Sequence, residues 1–171
     1  MKKKAVLVIA EQDFRDEEYL VPKGILSQAG VEVTTASTTT GEAVGKLGHK
    51  VHPDLLVSQI KVEDYDALVF VGGGGAAQYF ADETAHNLAR GFAQAGKVVA
   101  AICIAPVILA QAGLLRGKRA TVFPDGVSEL TKAGAIYTAQ SVERDGRIIT
   151  GNGPDAAEAF GHEIVRQLQE D

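Results

Sequence analysis

The sequence is poor in the residues that mark cross-linked and membrane-spanning proteins. It has one cysteine, one methionine and no tryptophan among 171 residues. A single cysteine excludes an internal disulfide framework, and a chain of this length can bury a sizeable core without cross-links. No apolar run approaches the roughly 18 residues of a membrane span, and the first one, residues 5–10, does not resemble a secretory leader. We therefore expect a cytoplasmic protein with no membrane partner.

Positive charge is also scarce. The chain carries 17 lysines and arginines against 22 aspartates and glutamates, a formal net charge of −5. Nucleic acids select proteins that present a basic face, so we expect no nucleic-acid partner. The chain shows no internal repeat, low-complexity stretch or linker, and its length fits one domain. We predict a single domain over residues 1–171.

Strand-like and helix-like segments alternate along the chain, which predicts an α/β fold with a mostly parallel sheet and helices on both faces. Apolar runs of the type found in strands buried on both faces lie at residues 5–10, 67–71 and 98–102, and an alternating strand lies at residues 31–36. Short strands are predicted near residues 120–122, 142–144 and 148–150. Helices are predicted before Gly30 and over residues 82–95, 105–112 and 154–169. Residues 41–52 are interpreted as a hairpin or an excursion.

Three unusual segments follow predicted strands. They are the polar residues 11–18, the glycine run Gly72–Gly75, and Cys103. Ligands of open parallel sheets bind outside the carboxyl ends of the strands. If the strands are neighbours, the three segments meet at one edge of the sheet.

Cys103 lies between two small residues, Ala101 and Ala105. A nucleophile on a sharp strand-to-helix turn needs small residues two before and two after it, because the backbone is pinched there. The thiol then sits at the N-terminus of a helix, where thiols have pKa values of roughly 3.5–7.5. We interpret Cys103 as a reactive thiol on a nucleophile elbow. The alternative at this point is a buried structural cysteine.

The glycine run Gly72–Gly75 allows close approach of the backbone to another group and offers free amides. Such amides are suited to stabilise an oxyanion beside Cys103, although a flexible turn is the alternative. The spacing is not that of a dinucleotide-binding loop, and no phosphate-binding loop is present. We expect no cofactor.

A thiol nucleophile is often served by a histidine base, yet no histidine adjoins Cys103. Two histidines fall on predicted helices and two in the excursion, and too few lie together to predict a zinc site: His86, His162, His49 and His52. We expect no metal. A carboxyl group is the alternative helper, although each of the candidates is individually more typical of a solvated loop charge: Asp13, Asp16, Glu17 and Glu18.

The chain resembles the ThiJ/PfpI superfamily, which includes the parkinsonism-associated protein deglycase and the intracellular PfpI-type peptidases. The segment Ala100-Ala101-Ile102-Cys103-x-x-Pro106 is similar to the nucleophile elbow of that family. Glu18, four residues before Pro22, and the pair Gly72-Gly73 match further family positions. The resemblance covers nearly the whole chain.

The resemblance implies a flavodoxin-like three-layer sandwich and a homodimer or higher homo-oligomer. It implies that Glu18 is protonated and donates a hydrogen bond to a Cys103 thiolate, since burial beside an anion raises the pKa of a carboxyl group. It also implies an oxyanion pocket made by the amides of Gly73 and Ile104, with Gly72 beside them.

The chain departs from the family at three positions. Ile104 stands where the peptidases carry histidine, Phe123 where deglycases carry histidine, and Asn152 where deglycases carry arginine. We expect Phe123, Asn152 and Arg15 to line a pocket that is more apolar and less cationic than that of the deglycases. A negatively charged substrate is therefore not expected.

Three functions remain open from the sequence. The first is glyoxalase or deglycase chemistry on a small carbonyl compound, with Cys103 as nucleophile and Glu18 as acid and base. The second is a peptidase or amidase, which requires a histidine from elsewhere. The third is a non-enzymatic redox-sensing or stress-protective protein that acts through oxidation of Cys103.

Overall fold

The computed structural model describes residues 2–170. Its strands, in chain order, are β1 Lys4–Val8, β2 Gln12–Phe14, β3 Glu32–Ser37, β4 Ala43–Gly45, β5 Lys50–Val51, β6 Leu55–Leu56, β7 Ala67–Phe70, β8 Val98–Ile102, β9 Arg119–Ala120, β10 Ile136–Tyr137, β11 Val142–Asp145 and β12 Ile148–Gly151. Its helices are α1 Asp16–Gln28, α2 Glu83–Gln94, α3 Pro106–Gln111, α4 Val127–Lys132 and α5 Ala157–Gln169.

A seven-stranded sheet in the order β11-β12-β8-β7-β1-β3-β6 forms the centre of the fold. Its neighbouring strands are parallel except for the antiparallel pair β11 and β12 at one edge. Apart from the exposed Lys4 at the start of β1, the strands β1, β7 and β8 are apolar and buried, which is typical of a parallel sheet covered on both sides.

Helices cover both faces of the sheet, and alternate residues of each strand belong to opposite cores. Along β1, Val6 and Val8 pack with α2, α3 and α4, whereas Ala5 and Leu7 pack with α1 and α5. This division follows from the two-residue period of a strand. The predicted fold class, α/β with a mostly parallel sheet between helices, is confirmed.

Two local features differ from the sequence-based predictions, and one hairpin agrees with them. The strand predicted near residues 120–122 lies outside the main sheet, where β9 pairs only with β10. Residues 41–52, interpreted as a hairpin or an excursion, contain the hairpin of β4 and β5, and β4 also pairs in parallel with β2. Helix α4 was not predicted, since it has six residues and its stability comes from burying Leu130 in the core.

Within residues 2–170, no helix is long and apolar enough to cross a membrane. The candidate site lies at the carboxyl ends of β1, β7 and β8, which are neighbours in the sheet. The polar segment after β1, the glycine run after β7 and Cys103 after β8 therefore meet at one edge, as predicted.

Candidate active site

Cys103 occupies a strained backbone conformation directly after β8. Its φ angle is +65°, a left-handed conformation that costs a residue other than glycine about 1–3 kcal/mol. Two hydrogen bonds hold the residue there: its N–H donates to the Gly151 carbonyl at 2.9 Å, and its carbonyl accepts from the Phe123 N–H at 2.8 Å. The neighbours Ala101 and Ala105 are fully buried, so the pinched turn has no room for larger side chains.

Gly72 makes the approach of Glu18 to Cys103 possible. A β-carbon at this position would lie 2.5 Å from the Cys103 Cβ and 2.5 Å from the Glu18 Oε1. It would also lie 2.6 Å from the Ile102 carbonyl oxygen. Because all three separations are far below normal contact, only glycine fits between the carboxyl group and the thiol.

Glu18 is a fully buried acid in the first turn of α1. Burial raises its pKa from 4.5 to about 7, while the nearby Cys103 and the Arg15 guanidinium oppose the rise. Neither of its carboxyl oxygens reaches hydrogen-bonding geometry with a partner among residues 2–170. Glu18 and Cys103 therefore shift each other's pKa as close neighbours, although their contact is not a formed hydrogen bond.

Burial also raises the pKa of the Cys103 thiol, to about 12, and the Glu18 carboxylate adds to the rise. The N–H groups of Gly73 and Ile104 face the sulfur and act in the opposite direction. The expected lowering of the thiol pKa is thus wrong. The helix that was expected to lower it begins only at Pro106 and has six residues, and its effect does not match the desolvation of the sulfur.

The two raised pKa values mean that Glu18 and Cys103 share one proton over a wide pH range. The pair loses its first proton near pH 7 and its second far above. At neutral pH Glu18 is therefore about half ionised, beside a neutral thiol. Transfer of the thiol proton to the carboxylate creates the thiolate where the Gly73 and Ile104 amides stabilise it.

The glycine run accommodates β2, which crosses over it. Gly73 has a φ angle of +99°, and a β-carbon there would lie 2.5 Å from the Asp13 carbonyl oxygen. A β-carbon on Gly75 would collide with the Gln12 carbonyl. The Arg15 N–H donates to the Gly72 carbonyl at 2.9 Å, which fixes the segment in place. The close backbone approach expected at these glycines is present.

Cys103 opens into a cleft of about 290 Å³. Apolar side chains cover much of it, and three charged side chains, Arg15, Lys46 and Asp125, complete the lining. Arg15 and Phe123 line the cleft, as predicted from the sequence. Asn152 does not; its N–H donates to the Ser141 carbonyl, and a residue two positions further along lines the cleft instead.

Sequence reasoning missed several residues of the cleft: Lys46, Phe80, Asp125 and Pro154. Lys46 lies in the excursion, which has no periodicity to indicate its direction. Phe80 follows the glycine run closely in sequence, and Pro154 follows β12. Their position after strands of the sheet is the sequence signal that could have placed them in the cleft.

None of the four histidines lines the cleft. The His86 ring lies 2.7 Å from the Phe80 carbonyl, and the His52 ring lies 3.1 Å from the Gly41 carbonyl. His162 lies 4.0 Å from Glu158 on the surface of α5, and His49 is near the Tyr19 ring. Within one chain, Cys103 has no imidazole base.

The four carboxylates near α1 have separate environments. Glu17 pairs with Arg15, and Asp13 is exposed. Asp16 is buried and accepts the N–H groups of Leu47 and His49, each at 2.9 Å. The interpretation as solvated loop charges is wrong for Asp16 and Glu18, because both lie on the buried side of α1. Among residues 2–170, no group of three or more potential ligands is arranged to hold a metal ion.

Three comparisons place the chain among known proteins. The sequence model of the DJ-1/PfpI family matches residues 3–167. An uncharacterized protein of Methanocaldococcus jannaschii is 43% identical over 97% of this chain and 82% of its own. A protein of Pyrococcus horikoshii named as a deglycase is 34% identical over 96% of this chain and 99% of its own. The crystal structure of a ThiJ/PfpI domain protein from Brachyspira murdochii is 34% identical, covers 100% of this chain and 99% of its own, and superimposes with a TM-score of 0.97.

Proposed function

This chain belongs to the DJ-1/PfpI family, and on that premise we propose that it is a cysteine-dependent enzyme acting on reactive carbonyl compounds. The reaction is of the glyoxalase or deglycase type, with an α-oxoaldehyde as the simplest substrate. The observation that supports this most strongly is the burial of Glu18 against Cys103 across Gly72, at the floor of a cleft. Deglycase-named relatives are consistent with the same chemistry.

The first step is addition of the Cys103 sulfur to the aldehyde carbon. Glu18 accepts the thiol proton as the sulfur–carbon bond forms and the carbonyl π-electrons move to oxygen. The N–H groups of Gly73 and Ile104, which face the sulfur, donate to the developing oxyanion. The product of this step is a hemithioacetal, after Glu18 returns a proton to the oxygen.

The second step moves a proton between the two carbons of the adduct. Glu18 removes the proton from the former aldehyde carbon, and a proton is returned to the adjacent carbon, which converts the hemithioacetal into a thioester. Water then adds to the thioester and the thiol leaves, so that a 2-hydroxy acid and free Cys103 are formed. A carboxyl group with a pKa of about 7 is suited to both directions of transfer at neutral pH.

Two alternative functions have less support. A peptidase or amidase requires a histidine base beside Cys103, and no histidine of this chain lines the cleft. A redox sensor requires a thiol that is largely ionised at rest, whereas burial raises the pKa of Cys103. Intact-mass measurement after mild peroxide tests the redox alternative, because a gain of two oxygens on Cys103 supports it.

The single-domain organisation over residues 1–171, the homodimer or higher homo-oligomer and the cytoplasmic location also remain predictions.

The test of the enzyme proposal is formation of lactate from methylglyoxal by the purified protein. We expect Cys103→Ala to abolish turnover, because no other cysteine is available. Glu18→Gln is expected to lower kcat by about 100-fold or more, the usual contribution of a positioned acid–base group. Equal rates for the wild type and Cys103→Ala overturn the proposal. Gly24→Ala, on an open site in α1 far from the cleft, is the matched control.

A further inference from the structure

Lys46 is one of two basic residues that line the cleft, and it differs from the other, Arg15, in having no hydrogen bond or ion pair at its side chain within the described part of the chain. Arg15 donates two hydrogen bonds to Glu17, at 2.9 and 3.0 Å, so its charge is largely compensated. Among residues 2–170, the Lys46 ammonium group forms no hydrogen bond and no ion pair. It is exposed at the mouth of the same cleft that holds Cys103.

The backbone around Lys46 is nevertheless firmly held. The Lys46 N–H donates to the Phe14 carbonyl at 2.9 Å. The next residue and His49 both donate to the buried carboxylate of Asp16 at 2.9 Å. Since Asp16 is only 5% exposed and occupies the first turn of α1, it joins the turn at residues 45–49 to the helix that carries Glu18.

Gly45 lets this turn approach α1. A β-carbon there would lie 2.6 Å from the Asp16 Cγ, so a side chain at position 45 would push the turn away from the helix. The fold therefore fixes the backbone of Lys46, whereas its side chain is exposed. Lys46 interacts with Glu17 through charge alone, and Asp125 is an acidic residue of the same lining, against the two basic residues Arg15 and Lys46. An exposed cation on a fixed backbone at the mouth of this cleft attracts anions.

We propose that Lys46 is a specificity-determining residue that binds an anionic group on the substrate, so that the preferred substrates are α-oxoaldehydes bearing a carboxylate or a similar anion at the end remote from the aldehyde. The aldehyde lies at the Cys103 sulfur, and the anionic end points out of the cleft toward Lys46. The substrate class rests on the proposed function, whereas the attraction of anions to the cleft does not. The inference reverses the sequence-based expectation that anionic substrates are disfavoured.

The attraction of anions to the cleft is measured with two thiol reagents of nearly equal size, the anionic iodoacetate and the neutral iodoacetamide. Each forms a sulfur–carbon bond to Cys103 as iodide leaves, and the single cysteine makes the intact mass an unambiguous readout. The quantity to compare between variants is the rate constant for alkylation by iodoacetate divided by the rate constant for alkylation by iodoacetamide. We expect Lys46→Gln to lower this ratio by roughly fivefold, the size of effect that one unit charge has at close range in a watery environment.

Matched variants separate position from net charge. Lys50→Gln removes the same charge from the same excursion, but Lys50 does not line the cleft, so the ratio is expected to stay at the wild-type value. Lys46→Arg is expected to retain the ratio within about twofold. Asp16→Asn is expected to lower the ratio less than Lys46→Gln does, because it loosens the turn at residues 45–49 but leaves the Lys46 charge in place. High salt is expected to reduce the difference between wild type and Lys46→Gln. Equal ratios for Lys46→Gln and Lys50→Gln overturn the inference.

Turnover of phenylglyoxal and 4-carboxyphenylglyoxal connects the anion site to the substrate class. We expect wild type to have the higher kcat/KM for the carboxylated compound and Lys46→Gln to lose that preference through KM. If neither compound is turned over while the alkylation ratio depends on Lys46, the proposed function fails and the anion site stands. If both are turned over and neither readout depends on Lys46, the function stands and the inference is overturned.

Discussion

The floor and the wall of the cleft are built in different ways. The floor, defined as Glu18, Gly72 and Cys103, is almost completely buried, and its side chains are fixed by backbone conformation and the lack of space. The wall, defined as Arg15, Lys46 and Phe123, is partly or fully exposed, and of its three side chains only that of Arg15 is held by hydrogen bonds, to Glu17. Burial makes the charges of the floor interact strongly, whereas water screens those of the wall.

This difference assigns separate tasks to the two regions. Under the proposed function, the floor controls where a proton resides and therefore whether the thiol reacts. The wall affects which molecules approach the sulfur, through single charges worth a few-fold each. We therefore expect substitutions in the floor to act on stability and reactivity together, and substitutions in the wall to act on selectivity with little change in folding.

The largest effect is expected from Gly72→Ala. The added methyl group would overlap the Cys103 Cβ, the Glu18 carboxyl oxygen and a backbone oxygen. We expect a loss of about 4 kcal/mol in the free energy of unfolding, measured by denaturant titration, together with loss of Cys103 alkylation. Gly74→Ala is the control for folding, since a β-carbon there meets no atom within 4 Å. Wild-type stability of Gly72→Ala would show that the floor is not tightly packed.

Glu18→Gln is expected to give a smaller, pH-dependent change in stability. Because folding raises the pKa of Glu18 from 4.5 to about 7, the wild type loses stability as the pH rises through this range, by about 3 kcal/mol in total. The amide does not ionise and avoids this loss. The free energy of unfolding of Glu18→Gln relative to wild type is therefore expected to increase between pH 4.5 and pH 8.

Denaturant titrations of both proteins at several pH values measure this difference. A constant difference between wild type and Glu18→Gln across the range would mean that Glu18 is not buried as an acid. Glu17→Gln is the matched control, because Glu17 is the neighbouring glutamate and its pKa is lowered, not raised.

The smallest effect is expected for the ion pair of the wall. Arg15 and Glu17 lie 2.9 Å apart, but their side chains are 28% and 38% exposed. A double-mutant cycle with Arg15→Ala and Glu17→Ala is expected to give a coupling energy below about 1 kcal/mol that decreases in high salt. A salt-independent coupling of several kcal/mol would contradict the distinction between floor and wall.

Much of the fold was predictable from the sequence, because its signals are local. The strands β7 and β8, and β1 after Lys4, are continuous apolar runs, and the order of strands and helices predicts a parallel sheet. The small residues around Cys103 predicted the sharp turn. Helix α4 and the pairing of β2 with β4 were not predictable, since both are short and are stabilised by partners distant in sequence.

The residues alone predicted that Cys103 sits on a pinched turn and that a glycine run and an acidic segment follow strands, whereas the structure decided that these strands are neighbours. Periodicity and steric demands are properties of short segments, so they can be read without the fold. Only the tertiary structure decided that the thiol pKa is raised, that Asp16 is buried beneath the 45–49 turn and that Lys46 reaches the cleft. Desolvation and charge proximity depend on which distant segments surround a group, and that information exists only once the chain has folded.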